Sequence, residues 1–252
     1  MTSRSSTSSR AASLQWRELL EKRHIIAAVR NVEALAAAAK SATETVCLLF
    51  GNPLNIVALL ASLQEQRKLA LVNLDLLTGF SREAINAEYL ASCGAAGIIS
   101  THYDVLRAAR KRGLIVVQRT FALDSSAIDA GLRSLNQFMP DAIEILPAVA
   151  APRVVGRFRK VHPQLRILAG GLISDLKEVE YLLGVGIDAV SVSDSRFWIA
   201  ESMHRDPDDE MRDIQTGKDD KRSTSSRLQR NNHGMGLPCT DHYSVNSWRR
   251  WS

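Results

Sequence analysis

Residues 166–195 read RILAGGLISDLKEVEYLLGVGIDAVSVSDS. The stretch opens on a short aliphatic run, Arg166 to Ala169, and passes the pair Gly170-Gly171. It then carries a helical pattern from Leu176 to Leu183 and returns to a second run, Ala189 to Val192. Short runs of β-branched and aliphatic residues alternating with helical patterns are the signature of a parallel sheet covered by helices. Working outward, the same unit recurs. Further strands are expected at His24 to Arg30, Thr45 to Phe50, Ala70 to Asp75, Ala96 to Ser100, Ile115 to Thr120 and Ala142 to Leu146, which makes eight in all. Helices are expected at Val32 to Lys40, Pro53 to Gln66, Arg82 to Ser92, Tyr103 to Arg112, Ser126 to Phe138 and Ala151 to Val161. Spread over residues 16–200, eight units have about 23 positions each, enough for a strand, a helix and two short loops, so the expected fold is a compact (β/α)8 barrel of the TIM type. An open doubly wound sheet fits less well, because no GxGxxG follows the first strand.

Composition narrows the class. The chain has 252 residues, with 45% hydrophobic and 23% charged residues. No segment approaches the roughly 18 to 20 apolar residues of a membrane span. The cysteines, Cys47, Cys93 and Cys239, are odd in number and far apart, which offers neither a zinc pair nor a disulfide framework and fits a reducing, cytoplasmic setting. A net charge of +5 is compatible with an anionic partner without specifying nucleic acid. Residues 1–15 are rich in Ser and Arg and are read as a disordered arm, and residues 201–252 as a disordered charged tail. In that tail, eight acids stand against three bases up to Asp220, and the sign then reverses. Its basic part, with Trp248 and Trp251, is one candidate contact for RNA.

In a barrel of this type the carboxyl ends of the strands form the functional mouth. Arg30, Asp75, Arg119 and Glu144 all fall at or near such ends, where a purely structural residue would be apolar, and they are the candidate ligand-binding residues. A structural ion network closing the barrel is the competing reading. Gly170 and Gly171 end the seventh strand, and Ser191 and Ser193 lie at the end of the eighth. Small residues there let a ligand approach backbone N–H groups, so these four are the candidate phosphate site.

Several strings then accumulate in order: Ala28-Val29-Arg30, Asn73-Leu74-Asp75-Leu76, Gly97-Ile98-Ile99-Ser100-Thr101, Gln118-Arg119-Thr120-Phe121, Ile143-Glu144-Ile145-Leu146-Pro147 and Ala169-Gly170-Gly171-Leu172-Ile173. Together they resemble the glycerol-3-phosphate-responsive antiterminator family from about residue 24 to Trp198. The resemblance implies a barrel that binds sn-glycerol 3-phosphate as effector and acts on leader mRNA to prevent premature termination at glycerol-utilisation genes. It places Arg30, Asp75, Arg119, Glu144, Gly170 and Gly171 in ligand-facing motifs. The chain departs from the family pattern in two places: a His-Val-Asp-like string reads Asn73-Leu74-Asp75, and Ser193-Asp194-Ser195 puts an acid beside the phosphate corner.

The alternative is a phosphosugar isomerase, epimerase or aldolase, which uses the same fold and the same corner. No lysine ends an expected strand, which removes the simplest Schiff-base aldolase. Only His102, after the fourth strand, could work as a mouth acid/base, with Glu144 or Asp75. A divalent cation on Asp75 and Glu144 is disfavoured by the nearby arginines, so no metal, cofactor or catalytic residue is expected. For RNA the candidates are Arg110, Lys111, Arg159 and Lys160, which lie at helix carboxyl ends and hence at the barrel bottom, where the helix dipole alone also favours cations. The expected partners are a small phosphorylated ligand and leader mRNA, with a homodimer as the candidate assembly and no membrane association.

Overall fold

The computed structural model describes residues 3–200, with side chains from residue 12 to residue 198. Eight parallel strands run in chain order: β1 (Ile25–Val29), β2 (Thr45–Leu48), β3 (Leu69–Asn73), β4 (Gly97–Ser100), β5 (Ile115–Phe121), β6 (Ala142–Leu146), β7 (Arg166–Gly170) and β8 (Ala189–Val192). Each pairs with the next, and β8 pairs back onto β1 through Ile25 and Val190, so the barrel is closed. No strand keeps a free edge.

Helices follow the strands on the outside. They are α2 (Val32–Lys40), α3 (Ile56–Glu65), α4 (Ala84–Ser92), α5 (Tyr103–Lys111), α6 (Ser125–Gln137), α7 (Ala151–Val161), α8 (Leu176–Gly184) and the short α9 (Arg196–Ala200); α1 (Ser3–Lys22) precedes them all. Several begin where a short polar side chain accepts from the first turn: Asn31 from the N–H of Ala34, Asp124 from that of Ala127, and Asp175 from that of Glu178.

The two-residue period of each strand sorts the core into two shells. Outward residues such as Val46, Val72, Ile98, Ile143 and Val190 pack with the helices. Inward residues Ile26, Cys47, Leu71, Ile99, Val117, Ala142, Leu168 and Ala189 fill the barrel. Trp16 and Leu20 of α1, both fully buried, belong to this inner cluster and close the bottom of the barrel.

Where an arm is expected at residues 1–15, the described chain is helical: α1 begins at Ser3 and runs to Lys22. The physical reason is that Trp16, Leu19 and Leu20 share one helical stripe, which finds apolar surface at the open bottom. The tail expected at 201–252 lies outside the described residues. Among the described residues no helix is long and apolar enough to cross a membrane.

Candidate ligand-binding site at the barrel mouth

Above the apolar filling, the inward positions of the strands turn polar or small. Arg119 on β5 and Glu144 on β6 are register partners, so two strands set the two side chains next to each other. Arg119 donates from Nε to Glu144 Oε2 at 2.8 Å, and its second nitrogen approaches the same oxygen at 2.7 Å. Glu144 Oε1 accepts from Ser191 Oγ at 2.7 Å. The glutamate side chain is 1% exposed and the arginine 10%, so this is a desolvated ion pair with a hydroxyl on its far oxygen. Arg30, just past β1, donates to Ser193 Oγ at 3.2 Å beyond β8.

These groups surround a cavity of about 380 Å³, whose lining includes Arg30, Arg119, Glu144, Gly171, Ser191 and Ser193. Cys47 lies at its base beside Ala28. Burial pushes the Cys47 thiol far above its ordinary range, and the Glu144 charge adds to the effect. It therefore stays protonated and behaves as a small apolar residue.

The loop after β7 has two successive residues at positive φ, Gly171 at 77° and Leu172 at 62°. Leucine is uncommon in this region, because its Cβ crowds the backbone at a cost of roughly 1 to 2 kcal/mol. Its side chain is 79% exposed, so packing does not explain the conformation. Gly171 and Leu172 both line the cavity, so this turn brings main chain to its wall.

The expected site residues divide. Arg30, Arg119, Glu144, Gly171, Ser191 and Ser193 meet at the cavity. Gly170 supports it from behind: a Cβ there would collide with Ser191 Oγ and meet Glu144 Oε1 at 3.2 Å, so only glycine leaves room for the Ser191–Glu144 bond. Asp75 is not in the lining. It sits in a 3-10 turn after β3, and its carboxylate accepts from Ser100 Oγ, Thr101 N and Thr101 Oγ1 at 2.7, 2.7 and 2.8 Å. It staples the end of β3 to the end of β4. Glu144, expected to accept ligand hydroxyls, has both oxygens engaged by protein and holds Arg119 in place. Asp194 does not face the corner as a bare charge, because Arg196 binds both its oxygens and holds its carboxyl below the usual range. His102 is exposed at the start of α5 and takes no part in the lining. Sequence reasoning passed over Leu172, which carries no signal of positive φ, and Cys47, which the inward alternation of β2 does signal.

At the bottom, Arg110 and Arg159 are committed within the fold. Arg110 pairs with Asp141 at 3.1 Å, and Arg159 pairs with Asp188 at 2.6 Å while donating to the carbonyls of Leu165 and Gly186. Lys111 and Lys160 remain exposed. The reason is local: Asp141 and Asp188 enter β6 and β7–β8 at the bottom rim and accept strand N–H groups, from Val116 and Ile167 respectively, so each demands a cation. No group of three or more His, Cys, Asp or Glu suited to a metal occurs among the described residues.

A family model described as the glycerol-3-phosphate responsive antiterminator matches residues 25–198. The chain belongs to this family. Every mouth residue named above falls inside the match, and α1 precedes it. The antiterminator-family chain is 32% identical over 181 residues to the uncharacterised protein YgcP of Escherichia coli (strain K12), covering 71% of this chain and 94% of that one. It is also similar to the crystal structure of a glycerol uptake operon antiterminator-related protein from Thermotoga maritima MSB8. There the TM-score is 0.63 at 28% identity, over 70% of this chain and 98% of the other. The glycerol uptake operon antiterminator regulatory protein of Listeria monocytogenes str. 4b F2365 gives a TM-score of 0.66 at 27% identity, over 69% and 94%.

Proposed function

We propose that the barrel is a cytoplasmic, ligand-responsive transcription antiterminator whose mouth cavity binds sn-glycerol 3-phosphate and whose liganded form acts on leader mRNA. The observation that carries the reading is the cationic corner of the cavity. Arg30 and Arg119 converge there beside the positive-φ turn of Gly171 and Leu172, at the loops after strands seven and eight where barrels of this type hold phosphate. Arg30 and the turn take the phosphate oxygens, with Ser193, whose oxygen accepts from Arg30, adding its hydroxyl hydrogen, while Ser191 gives its own to Glu144. Arg119, oriented by Glu144, supplies a second planar donor set.

The same geometry favours binding over turnover. The buried acid of the cavity is tied to an arginine and a serine, and among the described residues the lining holds neither lysine nor histidine. In an in vitro transcription assay on a glycerol-operon leader template, added protein is expected to raise read-through only when sn-glycerol 3-phosphate is titrated in. Read-through that ignores the ligand, or conversion of the ligand to product, would overturn the reading.

A further inference from the structure

Asn73 is the last residue of β3, fully buried, and both its side-chain amide nitrogen and its side-chain oxygen lack a hydrogen-bond partner. It occupies an inward position: Leu69 and Leu71 of the same strand join the inner cluster, whereas Ala70 and Val72 join the outer one. Its neighbours are informative. Leu48 pairs with Val72, which sets Leu49 beside Asn73, and the 3-10 turn that follows carries Leu76. Leu49 and the half-exposed Leu76 both line the mouth cavity. Asn73 is not itself part of the lining, so the orphan amide lies behind Leu49 and Leu76, across the barrel from the β7–β8 corner. Leaving a buried amide unpaired is costly, and an apolar residue of the same size would avoid that cost entirely.

We infer that Asn73 is the hydroxyl-recognition residue of the cavity and sets its selectivity for a phosphorylated polyol over other phosphate esters; this rests on the ligand reading above. A carboxamide presents one donor group beside one acceptor, and a hydroxyl can satisfy both at once. A phosphate dianion can satisfy only the donor, which fits its placement at the arginine corner on the opposite side. The inference requires Leu49 and Leu76 to move aside, so that the ligand's hydroxyl end meets Asn73 while its phosphate stays at Arg30 and Gly171.

Calorimetric titration of the full chain with sn-glycerol 3-phosphate and with propyl phosphate, which lacks hydroxyls, tests the inference in wild type, Asn73→Leu and Asn73→Ser. Wild type is expected to prefer sn-glycerol 3-phosphate. Asn73→Leu should weaken that ligand by about tenfold or more, the worth of one or two hydrogen bonds, and leave propyl phosphate unchanged. Its melting temperature should stay at or above the wild-type value, because the orphan amide is gone. Asn73→Ser, which keeps a small donor and acceptor, should fall between the two and serves as the reading if the leucine variant does not fold. Undiminished selectivity in the variants, as a structural water on Asn73 would give, or equal loss of both ligands, overturns the inference while the cavity reading stands. Failure of wild type to bind either ester removes both.

Discussion

The Arg119–Glu144 pair decides what single substitutions at the mouth will do. Removing Glu144 leaves a guanidinium 10% exposed with no counter-charge, so Glu144→Ala is expected to destabilise the fold by about 3 to 5 kcal/mol in denaturant melts, and to lower ligand affinity through a misplaced Arg119. A wild-type unfolding midpoint in that variant would show the pair to be solvated. Gly170→Ala forces Ser191 off Glu144, whereas Ser191→Gly makes room for the new methyl group. The double variant should therefore be more stable than the sum of the single losses implies, measured as a coupling free energy in a double-mutant cycle. Simple additivity would deny the collision. The arginines, Glu144 and the serines were legible in the sequence because a polar side chain ending an apolar strand is out of place unless something at the mouth uses it. Asp75 satisfied the same rule and is a staple, since sequence position does not reveal that Ser100 and Thr101 arrive within hydrogen-bond reach from the next strand. Leu172 was illegible because nothing in a leucine announces positive φ.

Among the elements, strands and helices were readable because each carries its own period, and the observed bounds differ from the expected ones by a residue or two at most sites. The third helix starts later than Pro53, at Ile56, after a turn in which Asn55 accepts from the N–H of Asn52 and Asn52 accepts from that of Leu54. The element that escaped was α1. Its Ser-rich, Arg-rich opening masks the short apolar stripe at Trp16, Leu19 and Leu20, and the stripe has meaning only once a barrel with an open bottom exists to receive it. Trp16→Ala should cost about 3 to 5 kcal/mol, like other large-to-small changes in cores, and leave the ligand affinity of the folded fraction intact because the plug and the cavity lie at opposite ends. A negligible loss of stability would mean that α1 is dispensable to the barrel.

For the molecule as a whole, the two ends have different chemistry, and the proposed roles separate accordingly. The mouth holds the desolvated ion pair and the proposed phosphate corner. The bottom rim carries cations, of which Arg110 and Arg159 are spent on Asp141 and Asp188 while Lys111 and Lys160 remain available. Lys111→Ala combined with Lys160→Ala should weaken leader-RNA binding and reduce its salt slope by about 1 to 2, with ligand affinity unchanged. An unchanged slope would move the RNA contact to the basic tail after Asp220. Everything nevertheless depends on the cavity being a ligand site. The most direct test is thermal unfolding of the full chain with increasing sn-glycerol 3-phosphate, with glycerol as the control. A saturable rise equivalent to about 2.7 kcal/mol at 100 times the dissociation constant, absent with glycerol, is the predicted result; a melting temperature that sn-glycerol 3-phosphate leaves unmoved at millimolar concentration would contradict the account.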